Sequence, residues 1–146
     1  MSILYLVVRI YGHRVAVRAA QVETVARIGA IRPVPKVAPA IAGLVALRSR
    51  VLTVIDSLIL LGGAPDCECR LDARPALVAN VDGHPYALLV DDIEDAIESR
   101  TAPAPVPVVP EATLRPFVSE SIELDGEVLP LVDVGALIAG VALEPA

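Results

Sequence analysis

The run Val51-Leu52-Thr53-Val54-Ile55-Asp56 sets the reading of the whole chain. It is short, aliphatic and β-branched, which predicts a strand buried against a core rather than a helix. Its closing Asp precedes Ser57-Leu58-Ile59-Leu60-Leu61 and then Gly62-Gly63. That order predicts one or two helical turns, N-capped by Asp56 and stopped by glycine. A near copy follows in the second half: Val128-Leu129-Pro130-Leu131-Val132-Asp133, then Val134 to Ile138, then Gly140. Asp133 therefore takes the same capping role, and both aspartates read as caps rather than as catalytic acids.

Outward from these two runs, the dominant period is two. Ile3 to Ile10 is largely apolar, Tyr11-Gly12-His13-Arg14 supplies a turn, and Val15-Ala16-Val17 returns. The same pattern recurs as Ala76 to Val81, Asp82-Gly83-His84-Pro85, and Tyr86 to Val90. A third hairpin reads as Ser121 to Leu124, Asp125-Gly126, and Glu127 to Val132. Asp-Gly favours the tight turn whose two central residues both need positive φ. The Gly-His turns at Gly12-His13 and Gly83-His84 precede the two Asp-terminated runs in the same order. The chain thus reads as two related halves, roughly 3–63 and 75–140, within a single domain spanning 1–146. Each half offers about five short strands, enough for a small closed barrel but too few for a large core. Ile31-Arg32-Pro33-Val34-Pro35 and the stretch from Pro103 to Pro110 read as extended crossing loops, since each Pro biases its predecessor away from helix. A further short turn is expected at Pro110-Glu111-Ala112-Thr113-Leu114.

Composition narrows the function. Of 146 residues, 55% are hydrophobic and only 3% aromatic, so the core is built from Val, Leu, Ile and Ala. That surplus predicts an exposed aliphatic patch and, through it, self-association. A formal net charge of −6 argues against a nucleic-acid partner. No apolar run approaches the ~20 residues of a bilayer helix. The Met1-Ser2-Ile3 start carries no basic leader, so a cytoplasmic location is expected.

Catalytic chemistry finds no foothold in the sequence. The only histidines, His13 and His84, sit at turns, and no nucleophile–base arrangement is suggested. Cys67 and Cys69 form a C-x-C pair, short of the four ligands of a closed zinc site. They read as loop thiols, with a thiol or metal-binding module as the alternative. Asp91-Asp92-Ile93-Glu94-Asp95 lacks the pattern of a calcium loop and reads as a solvated acidic edge that discourages strand pairing. Neither enzyme activity nor any cofactor or metal is expected.

Taken in order, Ile31-x-Pro33-Val34-Pro35, Pro39-x-Ile41-x-Gly43, Leu47-Arg48 and Val51-Leu52-x-Val54-Ile55-Asp56 resemble the central signature of the CheW family. Leu88-Leu89-Val90-Asp91-Asp92-Ile93 is similar to its second-half segment. Leu124-Asp125-Gly126-x-Val128-Leu129-Pro130-Leu131-Val132-Asp133-Val134 resembles its closing hairpin and strand. The resemblance implies an all-β fold of two intertwined five-stranded SH3-like barrels with a few short helices. It also implies an adaptor that joins the helical-hairpin tip of a chemoreceptor (a methyl-accepting protein) to the regulatory domain of a CheA-type histidine kinase. Carried over by position, the receptor-binding residues are Val22, Gly43 and Arg48. Apolar anchors suit a groove that takes a helical hairpin, and an arginine fork suits oxygen acceptors. Where the family has Asn-Leu-Arg-Gly, this chain has Ala46-Leu47-Arg48-Ser49; a positive φ at Ser49 would cost about 1 kcal/mol. The alternatives are the CheW-like regulatory domain of a kinase or CheV-type protein, and a divergent interaction module with another partner. The start at Met1 and the finish at Pro145-Ala146 are expected to disfavour the kinase-domain reading.

Overall fold

A computed structural model describes residues 2–10, 12–27, 31–32, 41–57, 74–105 and 117–142. Its strands are β1 (Ile3–Ile10), β2 (His13–Arg18), β3 (Thr24–Arg27), β4 (Ile41–Leu47), β5 (Arg50–Asp56), β6 (Pro75–Val81), β7 (His84–Leu89), β8 (Asp92–Ser99), β9 (Val118–Leu124) and β10 (Glu127–Val132). A 3-10 turn covers Ala19–Gln21, and helix α1 spans Val134–Ala142. Cys67, Cys69 and the turn expected at Pro110 to Leu114 lie outside the described residues, as does most of the segment after Asp56. No helix among the described residues is long and apolar enough to cross a membrane.

The strands form two five-stranded SH3-like barrels. The first has the order β8-β1-β2-β10-β9, and the second β3-β6-β7-β5-β4. Renaming β1–β5 as β6–β10, and the reverse, converts one order into the other. The repeat extends to irregularities: register shifts fall between Ile41 and Gly43 in β4 and opposite the Leu131–Val132 step of β10. The expectation that each half closes its own barrel is corrected here. Each barrel takes strands from both halves, because the closing strand pairs in parallel with the other half's hairpin. Leu131 lies opposite Ala16, and Thr53 opposite Tyr86.

This exchange explains the unbroken apolar runs. Tyr5, Val7, Ala16, Ile122, Leu129 and Leu131 fill the first barrel. Val45, Leu52, Val54, Val78, Ala87 and Leu89 fill the second. The opposite faces of the same strands supply Val8, Val15, Ile55, Leu77, Leu88 and Val132 to a seam between the barrels, which α1 closes with Leu137 and Ile138. A strand buried on both faces has no polar side to alternate with. By contrast β8, at a barrel edge, alternates Ile93 and Ile97 with exposed acids.

The turns follow the expected chemistry with one exception. Asp82-Gly83 and Asp125-Gly126 both take positive φ at both positions. The four-residue turns read around His13 and His84 are shorter, since both histidines already pair as the first residues of β2 and β7. Between β4 and β5, Arg48 and Ser49 adopt φ of 50° and 68° without a glycine. Ser49→Gly is therefore expected to stabilise the fold by about 1 kcal/mol, measured as a higher urea midpoint at unchanged slope. Helix α1 runs through Gly140, where the sequence predicts a stop. The packing of Leu137 and Ile138 in the seam outweighs the roughly 1 kcal/mol that an interior glycine costs.

Candidate functional site

Val22 sits between the 3-10 turn and β3, and its backbone N–H donates to Ala19 O at 3.0 Å. Its side chain is half-buried against the inter-barrel seam. The adjacent Glu23 is tied on both sides: its N–H donates to Val78 O at 2.7 Å, and its carboxylate meets Arg50 Nη2 at 3.1 Å. That ion pair links the Val22 segment to the β4–β5 hairpin. Arg48 occupies the exposed tip of this hairpin and has no ion pair among the described residues. Nearby on the outer face, Leu44, Ala46 and Val51 are exposed, with Val51 at 61%. The expected aliphatic patch is therefore present on the second barrel.

Gly43 has a different surrounding. Its φ is 148°, and a Cβ built there would overlap Arg32 O. The cause is a close crossing in which Arg32 N–H donates to Leu44 O at 2.8 Å and Leu44 N–H donates to Arg32 O at 2.9 Å. This two-bond bridge covers part of the outer edge of β4. Ala104 and Ser121 make the same pair of bonds on β9. Gly43 stands five residues from Arg48, about 16 Å along an extended strand. The three carried-over residues thus occupy a seam, an edge crossing and a hairpin tip, with the Glu23–Arg50 pair joining the first to the last.

Two charged groups escaped the sequence reading. Arg74, 8% exposed, donates from Nη1 to Asp56 Oδ1 at 3.0 Å and from Nε to Val90 O at 3.3 Å. Its Nη2 lies 3.6 Å from Asp91 Oδ1, and Asp91 Oδ2 accepts the Gly12 N–H at 2.7 Å. One buried guanidinium therefore connects the end of β5 in the second barrel to the β1–β2 turn of the first. No periodic pattern marks this lone arginine before Pro75. Asp133 caps α1 as expected, accepting the Ala136 N–H at 3.3 Å, and Gln21 bonds both Asp133 and the Val134 N–H.

The second group surrounds Glu94, read from the sequence as part of a solvated edge. Val7 pairs with Asp95 and Val8 with Ile93, so Glu94 is the extra residue of a bulge. Bulges re-aim side chains, and this one brings Glu94 to Arg14 Nε at 2.7 Å and Arg9 Nη2 at 3.0 Å. Arg14 also meets Glu127. The hydrogen bond from Arg14, then that from Arg9, holds the Glu94 carboxyl below its ordinary pKa. A depressed carboxylate contributes stability that is present above its unfolded pKa and lost as pH falls through the folded one. Carboxyl-detected NMR titration is expected to place Glu94 below the usual glutamate value, with Arg14→Ala raising it more than Arg9→Ala. An ordinary value in the wild-type chain would contradict this geometry.

Among the described residues, no group of three or more His, Asp or Glu side chains is placed to hold a metal. His84 turns toward its own sheet, with Nε2 3.4 Å from Thr53 Oγ1 and its ring tilted against Tyr86.

Comparison with known proteins agrees with this architecture. A family model described as CheW-like domain matches residues 4–142. The crystal structure of the scaffolding protein TtCheW from Thermoanaerobacter tengcongensis aligns with a TM-score of 0.78 at 19% identity, over 94% of this chain and 92% of that one. A search of curated proteins found no match. A family match that runs from β1 into α1, on two barrels that exchange strands across one seam, places the chain in the CheW-like domain family.

Proposed function

We propose that this chain is a cytoplasmic, non-enzymatic adaptor that couples chemoreceptor signalling tips to the regulatory domain of a CheA-type histidine kinase. The observation that carries this reading is the family match over residues 4–142. The surface agrees with it. Arg48 projects from an exposed hairpin with its guanidinium unpaired among the described residues, ready to donate to acceptor oxygens on a helical tip. Val22 offers an apolar contact at the seam, on a segment anchored by Glu23. Gly43 serves the same surface indirectly, by letting Arg32 cross β4 closely enough to set its edge.

Arg48→Glu is expected to weaken capture of receptor tips by about tenfold or more, as suits loss of a charge-assisted contact and its replacement by a repulsive one. Capture of the kinase regulatory domain is expected to persist. Quantitative pull-down with both purified partners reads both effects. Failure of the wild-type chain to capture either partner would overturn the proposal.

A further inference from the structure

Among the described residues, each five-stranded sheet leaves two strands with a single neighbour: β8 and β9 in the first barrel, β3 and β4 in the second. An outer edge of this kind offers unpaired N–H and C=O groups to any further strand. Three of the four are guarded by length or by a crossing. β3 is only four residues long, Thr24–Arg27. β4 carries the Arg32–Leu44 crossing, and β9 carries the Ala104–Ser121 crossing. β8 has neither defence. It runs eight residues, Asp92–Ser99, twice the length of its counterpart β3, and pairs with β1 on one side.

Along β8 two exposed aspartates fold back, each onto the amide that follows it. Ile93 N–H donates to Asp92 Oδ1 at 2.9 Å, and Ala96 N–H donates to Asp95 Oδ1 at 2.8 Å. Just past the strand, Thr101 N–H donates to Ser99 Oγ at 3.1 Å. An amide on a carboxylate forms a charge-assisted bond, and local side-chain bonds of this kind take the place of ladder bonds. The two capped amides lie on either side of the bulge at Glu94, so the caps cover both arms of the strand. We infer that the outer edge of β8 is a latent pairing surface for a second copy of this chain, held shut by the Asp92 and Asp95 caps. An identical strand matches β8 in length, and antiparallel pairing of the two repeats each contact about a two-fold axis. Charge alone is a weaker barrier to that pairing. Glu94, near the middle of the strand, is already neutralised by Arg9 and Arg14, which lowers the repulsion between two copies. With its caps in place, the chain meets its partners through side chains and not by extending a sheet.

The test uses the full chain over a concentration series: wild type, Asp92→Ala with Asp95→Ala, and Asp92→Asn with Asp95→Asn. The alanine pair removes the caps. The asparagine pair removes the charges but keeps an acceptor oxygen at each site. Circular dichroism checks folding, sedimentation velocity reads size, and NMR amide exchange reads Ile93 and Ala96. In the alanine pair both amides are expected to exchange faster than in wild type at low concentration. At high concentration they are expected to slow about tenfold as a dimer forms over the edge. In wild type and in the asparagine pair, exchange at both amides is expected to be the same at every concentration. Concentration-independent exchange in the alanine pair would overturn the inference, and so would protection that grows with concentration in wild type. An asparagine pair that associates as strongly as the alanine pair would overturn it too, since charge and not capping would then close the edge. Asp95→Ala alone gives the same reading at Ala96 if the double variant does not fold. Neither aspartate is among the receptor-binding residues set out above, so this outcome is separate from that of the adaptor reading.

Discussion

Arg74→Met is expected to destabilise the chain by about 3–5 kcal/mol, the usual cost of removing one partner of a buried ion pair. The methionine keeps most of the apolar stem, so the loss is dominated by the carboxylate left behind. Asp56 is 3% exposed and cannot turn to water without opening the end of β5. The Asp91 link to Gly12 also loses its cation, which loosens the join between the barrels. Asp56→Asn should make the Arg74 substitution cost less, because a neutral amide then stands where the buried carboxylate faced the guanidinium. A double-mutant cycle by urea denaturation measures this coupling. Additive effects of the two substitutions would show that the pair is not the source of the cost.

Gly43→Ala carries the second large expected effect, a loss of about 3 kcal/mol. Positive φ accounts for 1–3 kcal/mol of strain at a residue with a Cβ. The overlap with Arg32 O and Arg32 C adds to it, since backbone atoms cannot rotate aside as a side-chain tip can. Relief requires the Arg32–Leu44 bridge to open, so amide exchange at Leu44 should accelerate along with the drop in midpoint. Unchanged protection of the Leu44 amide would contradict this account. Any loss of receptor binding in this variant then reports a displaced edge and not a lost contact, which sets Gly43 apart from Arg48.

The hairpins were legible in the sequence because their signals are local. Asp82-Gly83 and Asp125-Gly126 carry their turn type in two residues, and the flanking β-branched runs carry the strands. The kinship of Val51–Asp56 with Val128–Asp133 was equally readable, and Asp133 capped its helix as its position suggested. Barrel membership was not readable from the runs themselves. The pairings of Ala16 with Leu131 and of Thr53 with Tyr86 join residues far apart in the chain, and no period or turn encodes them. Only the family resemblance indicated intertwined barrels. Gly43 is required by the backbone of a distant residue, Arg32, so its purpose emerges only once the crossing is seen. Arg74 and Glu94 show the same limit. A lone arginine before a strand gives no sign of burial, and a bulge that redirects one glutamate leaves an ordinary acidic run in the sequence. Of the candidate site, Arg48 was readable as a turn residue, while the pair that ties its hairpin to the Val22 segment needed the fold.

The central claim is that one copy of this chain joins a receptor tip to a kinase. Its most direct test is retention of the kinase regulatory domain on immobilised receptor tips, with and without the chain. The adaptor account predicts that kinase is retained only when the chain is present, and that Arg48→Glu abolishes retention while the chain still binds kinase in solution. Retention that is the same with and without the chain, or a chain that binds each partner only in the absence of the other, would contradict it.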